Sequence, residues 1–194
     1  MTPQRSLRDR LGLGGVAIER TFATFDAKAQ PKAYQVATAF LDNPRSIVFS
    51  GPNGIGKTHL AMAVGNALLE KQGWLAEVWF IHFGDALRKL RATYQTGYDG
   101  FGEEWWLKSW REIPVLILDD VGQAGLKEPS EFTRKIGYDI IDGRYRAGNR
   151  PIILTTNKAP GQLGDWITES AVSRLYEMGD VVLMKGKDWR LKRG

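Results

Sequence analysis

The stretch that decides the fold runs from residue 45 to residue 58 and reads Arg-Ser-Ile-Val-Phe-Ser-Gly-Pro-Asn-Gly-Ile-Gly-Lys-Thr. A short apolar run ends in a glycine-rich turn, and the residues after the turn have the spacing of a helix. The turn satisfies the pattern G-x-x-x-x-G-K-[ST], which marks a phosphate-binding P-loop when a strand precedes it and a helix follows. Both flanking elements are predicted here, so the sequence indicates a site for a nucleoside triphosphate.

The residue types of this loop suit phosphate chemistry. Glycine allows backbone conformations that are closed to residues with a Cβ atom, so successive N–H groups can surround phosphate oxygens. We expect Lys57 to reach the β- and γ-phosphates of ATP and the Thr58 hydroxyl to bind Mg²⁺. The predicted nucleotide-binding residues are Gly51, Pro52, Asn53, Gly54, Ile55, Gly56, Lys57, Thr58 and His59.

Composition narrows the class of protein. The chain has 194 residues, of which 43% are hydrophobic and 25% charged, as in an ordinary single-domain globular protein. Cysteine is absent, which excludes disulfides and thiolate zinc sites and suits a cytoplasmic location. No apolar run approaches the roughly 18–20 residues that span a bilayer. The net charge of +5 permits nucleic-acid binding without requiring it.

Apolar runs alternate with helical patterns along the chain. Strands are predicted at 47–50, 76–83, 114–120, 152–155 and 181–184, and helices at 31–41, 57–72, 85–96, 103–110, 130–147 and 167–178. Continuously apolar strands that alternate with helices predict an α/β fold, with a parallel sheet covered on both faces. Residues 1–20 are interpreted as a flexible or partner-bound arm, and residues 21–194 as one domain. Phe22 and Phe25 could pack this arm onto the core or contact adenine.

Polar residues follow two of the apolar runs. Asp119 and Asp120 end the predicted third strand, and Asn157 follows the fourth. Ligands bind at the carboxyl ends of strands in open α/β sheets, so we expect Asp119 to hold Mg²⁺ and Asp120 to orient or deprotonate the attacking water. Asn157 could contact that water or the γ-phosphate. The alternatives are an acid pair that only caps a turn and an asparagine that only forms one.

Several motifs in this order resemble one family. They are G-P-N-G-I-G-K-T-H-L-A at 51–61, L-I-L-D-D-V-G at 116–122, T-T-N at 155–157, S-R-L-Y-E-M at 173–178, T-F-A-T-F-D at 21–26 and G-K-D-W-R at 186–190. Together they are similar to the AAA+ ATPases of the DnaC/DnaI helicase-loader group and to the related IstB transposition ATPases. The resemblance covers residues 20–190. It implies a three-layer αβα sandwich with a five-stranded parallel sheet.

The resemblance also implies roles for individual residues. Lys57 and Thr58 become the Walker A pair, Asp119 and Asp120 the Walker B pair, and Asn157 the sensor 1 residue. Arg174, by itself a surface arginine, becomes an arginine finger that acts on the nucleotide of a neighbouring subunit. The implied assembly is therefore a homo-oligomer.

The sequence departs from the wider AAA+ pattern in two places. Many AAA+ proteins have Glu where this chain has Asp120, so slow hydrolysis is expected. Ten residues follow the last predicted strand, so no C-terminal helical lid is expected, although Arg190 could take part of the sensor 2 role. His82 ends the second predicted strand and fits either a polar switch or a core histidine.

The segment at 84–111 mixes basic and aromatic residues, and the resemblance implies that it helps line a path for single-stranded DNA. Cations that track phosphates and rings that stack on bases are typical of such a path. The DNA-binding candidates are Arg88, Lys89, Arg91, Tyr94, Lys108 and Arg111. Trp106 and Trp110, four residues apart, fit a local core better. A second basic cluster, Arg144, Arg146 and Arg150, fits a solvated helix end, a subunit contact or DNA.

The sequence thus predicts an ATPase with ATP and Mg²⁺ as cofactors, stimulated by assembly or DNA. The favoured function is a loader of a DnaB-type replicative helicase that assembles on single-stranded DNA. An IstB-like regulator of a transposase is the first alternative. A nucleotide kinase and an ATP-binding switch with little turnover are the others. No partner motif is legible in residues 1–20.

Overall fold

The computed structural model describes residues 15–72, 78–95, 100–122, 128–186 and 188. The strands are β1 (Ser46–Ser50), β2 (Val78–His82), β3 (Val115–Val121), β4 (Ile152–Thr156) and β5 (Gly179–Leu183). The helices are α1 (Pro31–Ala39), α2 (Lys57–Gln72), α3 (Phe83–Ala92), α4 (Glu103–Glu112), α5 (Glu131–Arg146), α6 (Pro160–Ile167) and α7 (Glu169–Met178).

The strands form one sheet in the order β2-β3-β4-β1-β5. Every pairing in it is parallel. Because parallel strands end at the same edge, the segments after β1, β3 and β4 lie side by side. The P-loop and both predicted polar strand ends therefore meet at one edge of the sheet.

Two apolar clusters cover the two faces of the sheet. One joins α1 and α2 to the sheet and includes Phe40, Leu60 and Val64. The other packs the five helices from α3 through α7 onto the opposite face of the sheet and includes Leu90, Trp110 and Ile140. The residues of the three central strands β3, β4 and β1 are almost entirely buried, which explains why they read as continuous apolar runs. The predicted αβα sandwich with a five-stranded parallel sheet is confirmed.

One predicted helix is wrong in its limits. The sequence predicts a single helix at 167–178, but Ile167 ends α6 and Glu169 begins α7. Thr168 between them has a φ of +76°, which no helix accommodates, and its hydroxyl caps α7 by accepting a hydrogen bond from the Ala171 N–H. Helix α6 begins at Pro160, where proline is well suited to a first turn, and no helix is predicted there from the sequence.

The last residues of the predicted arm contact the core. Gly15–Glu19 form a 3₁₀ helix in which Ala17 is buried. The Asn66 side chain on α2 donates hydrogen bonds to the carbonyls of Ala17 (2.7 Å) and Arg20 (3.0 Å). Residues 1–14 of the predicted arm lie outside the described residues, as does Arg190.

The second basic cluster is used inside the fold. Arg144 is completely buried, and its three nitrogens donate to six backbone carbonyls. The acceptors are Trp110, Arg111, Ile113, Pro114, Arg150 and Pro151. These carbonyls belong to the end of α4 and to the segments that enter β3 and β4. The interpretation of Arg144 as part of a solvated or DNA-binding cluster is therefore wrong, because its guanidinium joins three segments of the core.

Among the described residues, no helix is both long and apolar enough to cross a membrane.

Candidate active site

The P-loop connects the end of β1 to the start of α2. Its first glycine, Gly51, has a φ of +152° and donates its N–H to the Thr156 carbonyl of β4 at 3.2 Å. A side chain at Gly51 would also run into the Met184 carbonyl. Gly56 has a φ of +99°, and a Cβ atom there would lie 2.6 Å from the Phe25 ring. Glycine is thus required for backbone conformation and for space at both positions.

Lys57 lies at the first turn of α2 and is nearly buried. Its Nζ donates hydrogen bonds to the carbonyls of Gly51 (2.8 Å) and Pro52 (2.7 Å). The ammonium group therefore lies across the mouth of the loop. A phosphate bound in this loop would offer the ammonium a stronger, charged acceptor in place of these carbonyls.

Asp119 is the most enclosed acid of the site, with 1% of its surface exposed. Its Oδ1 accepts hydrogen bonds from the hydroxyls of Thr58 (2.7 Å) and Thr155 (2.6 Å). Its Oδ2 lies 3.2 Å from Nδ1 of His82. A carboxylate buried to this degree is stable only when it is surrounded by donors, and three residues from three elements provide them here.

A local irregularity in β3 directs both aspartates toward the site. Leu118 pairs with Leu154, yet Val121 pairs with Thr156, so β3 holds one residue more than β4 over this interval. Asp120 has a φ of +62°, which is rare for a residue with a side chain. Neighbouring residues of a regular strand point to opposite faces. The extra residue breaks this alternation at Asp119 and Asp120.

Thr155 stabilises this irregular segment, and the sequence analysis gave it no role. Its hydroxyl accepts the Asp120 backbone N–H at 2.9 Å while it donates to Asp119. One side chain thus holds both acids. The threonine pair before Asn157 was visible in the sequence, but its partners lie more than thirty residues away along the chain.

The pKa of Asp120 is raised. Burial is the largest cause, and the negative charge of Asp119 adds to it, whereas His82 and Lys57 act in the opposite direction. A raised pKa makes the carboxylate a better proton acceptor once it is ionised. This property suits the predicted role of Asp120 beside the attacking water.

Asn157 directly follows β4, between the ends of β1 and β3. The residue before it, Thr156, donates its hydroxyl to the Val121 carbonyl at 2.7 Å, and Gly51 donates its N–H to the Thr156 carbonyl. Asn157 is therefore carried by a backbone that is tied to both the P-loop and the Walker B strand. Its role as a sensor stays a prediction.

The two histidines differ in what they contact. His82 is about half exposed, with 51% of its side chain accessible, and lies beside Asp119, so it is not a core histidine. His59 contacts the segment before the core, and its Nε2 lies 3.0 Å from the Thr21 carbonyl and 3.3 Å from the Thr24 hydroxyl. Burial lowers the pKa of His59. His59 therefore links α2 to the segment at 21–25.

Phe22 and Phe25 in that segment pack on the ring of Tyr34, at centroid distances of 5.6 and 6.2 Å. These contacts support the packing interpretation. Phe25 also touches the P-loop at Gly56, so the segment lies directly beside the predicted nucleotide site.

Arg174 lies on α7 and turns toward α5. Its Nη1 is 2.5 Å from Oδ1 of Asp142, and its guanidinium lies 5.1 Å from the Tyr138 ring and 5.5 Å from the Tyr145 ring. The hydroxyl of Tyr138 and the charge of Asp142 raise its pKa further above the ordinary arginine value. Arg174 is thus neither a freely solvated arginine nor part of the P-loop site of its own subunit.

Comparison with known proteins agrees with this geometry. Residues 2–194 match the family of IstB-like ATP binding proteins. This chain belongs to the IstB-like ATP-binding protein family. It is 31% identical to the insertion sequence IS5376 putative ATP-binding protein of Geobacillus stearothermophilus, over 97% of this chain and 74% of that protein.

The IstB-like chain is also similar to helicase loaders. It is 29% identical to the replicative helicase loader DnaC of Escherichia coli K12, over 76% of this chain and 56% of that protein. The crystal structure of the DnaC helicase loader superposes with a TM-score of 0.74 at 28% identity, covering 87% of this chain and 98% of that one. The IstB-like chain therefore has the AAA+ P-loop ATPase fold, and the predicted family resemblance is confirmed.

The predicted magnesium site of the IstB-like chain has suitable donors. A hydroxyl and a carboxylate oxygen, from Thr58 and Asp119, lie 2.7 Å apart at the end of the P-loop. Mg²⁺ prefers such hard oxygen ligands and keeps several waters when it binds together with phosphates. These two residues fit a nucleotide-bound Mg²⁺.

Most of the DNA-binding candidates contact other side chains of the same chain. Arg88 pairs with Asp85, Lys89 lies 4.7 Å from the Trp106 ring, and Arg91 lies 5.2 Å from the Phe132 ring. The Tyr94 hydroxyl bonds to Glu103. Lys108 is exposed on α4. Arg111, in the last turn of α4, pairs with Glu112 at 3.2 Å. Binding of DNA by these residues stays a prediction.

The aromatic residues of α4 divide into buried and exposed sets. Trp110 is fully buried and Trp106 packs between Trp79 and Trp110, as predicted. Phe101 and Trp105 are exposed and stack on each other with ring centroids 3.9 Å apart. Tyr98, a further aromatic residue of the segment at 84–111, lies outside the described residues.

Proposed function

We propose that this IstB-like protein is an ATP-hydrolysing assembly factor that acts with a transposase on DNA. One observation carries the proposal: the similarity to an insertion-sequence ATP-binding protein extends over 97% of the chain, whereas the similarity to the DnaC loader covers 76%. The parts that the loaders do not share are included in the first match, and these parts are candidates for partner recognition.

Hydrolysis would use residues from three strand ends. Lys57 would move from the Gly51 and Pro52 carbonyls to the phosphates, and Thr58 and Asp119 would hold Mg²⁺, which supplies neutralisation of phosphate charge when bound. A water oxygen attacks the terminal phosphorus, the bond to the bridging oxygen breaks, and ADP leaves. Asp120 would take a proton from the attacking water, and Asn157 would orient that water.

Arg174 would complete the site of a neighbouring subunit. Helix α7 leads directly into β5, whose first residue Gly179 pairs with Ser46, the first residue of β1. Arg174 is five residues before Gly179, about 7.5 Å along the helix axis. The P-loop lies beyond the other end of β1, about 15 Å away along the strand. This placement favours action in trans, and therefore hydrolysis that depends on assembly.

The basic residues Arg88, Lys89, Arg91 and Lys108 would contact DNA phosphates. They are exposed, and counterion release from such contacts makes binding strongly salt-dependent. Single-stranded DNA remains the predicted substrate of this surface, and duplex DNA suits a transposase partner equally.

The function is tested by ATP turnover of the purified chain at rising protein concentration, with and without single-stranded oligodeoxythymidine or duplex plasmid. Turnover per subunit should rise with protein concentration. Arg174→Ala should retain ATP binding and lose this rise. Normal turnover by Arg174→Ala would refute the role of Arg174 as an arginine finger. Phosphoryl transfer to an added nucleotide would indicate a kinase instead.

A pull-down separates the two candidate partners. The tagged chain is mixed with ATP and either a transposase encoded beside it or the host's replicative helicase. Retention of the transposase alone supports the proposal. Retention of the helicase alone would support a helicase loader, the second candidate, which is favoured by the superposition on 98% of the DnaC helicase loader structure.

A further inference from the structure

We propose that Asp142, together with the rings of Tyr138 and Tyr145, positions Arg174 for the nucleotide bound by a neighbouring copy of the chain. This role rests on the proposed action of Arg174 in trans. Asp142 and the tyrosines would not touch the nucleotide, so they are positioning residues.

The three residues form one face of α5. Positions 138, 142 and 145 are spaced by four and three residues, so their side chains line up along the helix. The Arg174 guanidinium from α7 lies among them, at 2.5 Å from the Asp142 carboxylate and over the rings of Tyr138 and Tyr145, 5.1 and 5.5 Å from their centroids. A carboxylate on one edge and rings on its face restrict both the position and the plane of the guanidinium.

The surrounding contacts hold this face in place. Asp142 is 12% exposed and also binds Nε of Arg146 at 3.0 Å. The Tyr145 hydroxyl donates to Glu177 of α7 at 2.8 Å. The carboxylate is therefore anchored from its own helix, and Tyr145 links the two helices next to Arg174. Little freedom remains for the guanidinium to rotate.

The contrast with Arg144 indicates that Arg174 is kept for an external anion. Arg144 is completely buried and directs all three of its nitrogens to backbone carbonyls inside the subunit. Arg174 keeps 22% of its side chain exposed, and its ion pair engages Nη1. A guanidinium carries five N–H donors, more than the Asp142 carboxylate and the Tyr138 hydroxyl occupy, so donors of Arg174 remain for a phosphate approaching from outside.

Correct placement of such a group has a large effect on rate. The finger contributes only when it meets the charge that develops on the transferred phosphate, and small displacements of catalytic groups cost about tenfold to a hundredfold in rate. Loss of the Asp142 carboxylate should therefore lower assembly-dependent turnover by about tenfold without weakening ATP binding.

Mixed assemblies test the inference. One subunit type carries Asp120→Asn, which disables its own site but leaves its finger. The other carries Arg174→Ala, which leaves its site but removes its finger. The mixture should recover turnover that neither variant shows alone. If it does not, the proposed action in trans fails, independently of Asp142.

Asp142→Asn is then added to either partner. In the Asp120→Asn subunit, which is the finger donor, Asp142→Asn should lower the recovered kcat about tenfold with an unchanged KM for ATP. In the Arg174→Ala subunit, the same substitution should leave the recovered kcat unchanged. Asp139→Asn in the finger donor is the matched control, since Asp139 lies on the same helix and pairs with Lys135. Full recovery with the Asp142→Asn donor would overturn the inference.

A second variant covers the case in which Asp142→Asn folds poorly. Tyr138→Leu in the finger donor removes one ring from the Arg174 guanidinium and keeps an apolar side chain. The recovered kcat should fall several-fold, while Tyr176→Leu, at an exposed tyrosine of α7, should leave it unchanged. Thermal unfolding and ATP affinity are measured for each variant. Equal recovery by both tyrosine variants would also overturn the inference.

Discussion

Replacing Thr155 by valine should disconnect the two acidic residues of the site. Valine has nearly the same shape as threonine but lacks the hydroxyl. The change removes a 2.6 Å hydrogen bond to the buried Asp119 carboxylate and leaves the Asp120 N–H without its 2.9 Å acceptor. Because Asp120 has a φ of +62°, the segment depends on such contacts to keep its conformation.

The magnitude follows from these two bonds. A hydrogen bond to a charged group contributes about 1.5–3 kcal/mol, and a buried donor left unpaired costs about 1–3 kcal/mol. Burial of the additional methyl group of valine offsets about 0.8 kcal/mol of this loss in stability. We expect Thr155→Val to lower the free energy of unfolding by about 3 kcal/mol, and Tm by roughly 6–12 °C for a chain of this length.

Thr155→Val should also lower the rate of ATP hydrolysis. With one of the Asp119 donors lost and the Asp120 backbone free to relax, turnover at saturating ATP should fall by about tenfold or more. Urea denaturation followed by circular dichroism measures the stability, and phosphate release measures turnover. Thr155→Ser is the control, because it keeps the hydroxyl and loses only one methyl group, for about 1 kcal/mol. If valine and serine behave alike in both assays, the hydroxyl does not organise the acids and the reasoning is wrong.

Three further changes test other parts of the structure. Burial, with the nearby charge of Arg150, lowers the pKa of Arg144 to about 9, so the guanidinium is protonated at neutral pH. Arg144→Lys supplies three donors for six carbonyls and should cost about 3 kcal/mol in urea denaturation, whereas Arg146→Lys, at an exposed side chain that pairs with Asp142, should cost under about 0.5 kcal/mol; equal losses would contradict the buried network. A Cβ at Gly137 would lie 2.6 Å from the Ile167 side chain, so Gly137→Ala should destabilise by about 1–3 kcal/mol, while Gly143→Ala, where the nearest atom is 3.4 Å away, should be neutral or stabilising; the opposite order in thermal unfolding would contradict the packing of α5 on α6. Lys57→Ala should abolish ATP binding in a fluorescent-nucleotide titration with little change in Tm, and retained tight binding would remove Lys57 from the site.

Much of the fold was predictable because it is recorded in local patterns. A strand buried on both faces must be apolar throughout, and a helix on the sheet must repeat its apolar residues every three or four positions. The P-loop glycines and Asp119 with Asp120 follow directly from such strands. The limits of the last helices were predicted incorrectly, because Thr168 carries no periodic signal of its backbone conformation.

The surroundings of Arg144 and Arg174 could not be predicted from the sequence. Arg144 and Arg174 have the same side chain and lie on neighbouring helices. One is buried among carbonyls and the other lies against Asp142, because four of the six carbonyls around Arg144 and the carboxylate beside Arg174 come from segments thirty residues or more away along the chain. The helicase-loader function, the transposase alternative and the roles of Asn157 and the DNA-binding candidates stay predictions.

The sequence by itself determined that this protein has a P-loop, a Walker B strand and a parallel sheet, because each is built from neighbouring residues with fixed spacing. Only the tertiary structure decided how the acids are held. The extra residue in β3, the Thr155 hydroxyl between Asp119 and Asp120, and the packing of Arg174 against α5 all depend on contacts between distant segments. Such contacts arise from packing, and no local pattern in the chain encodes them.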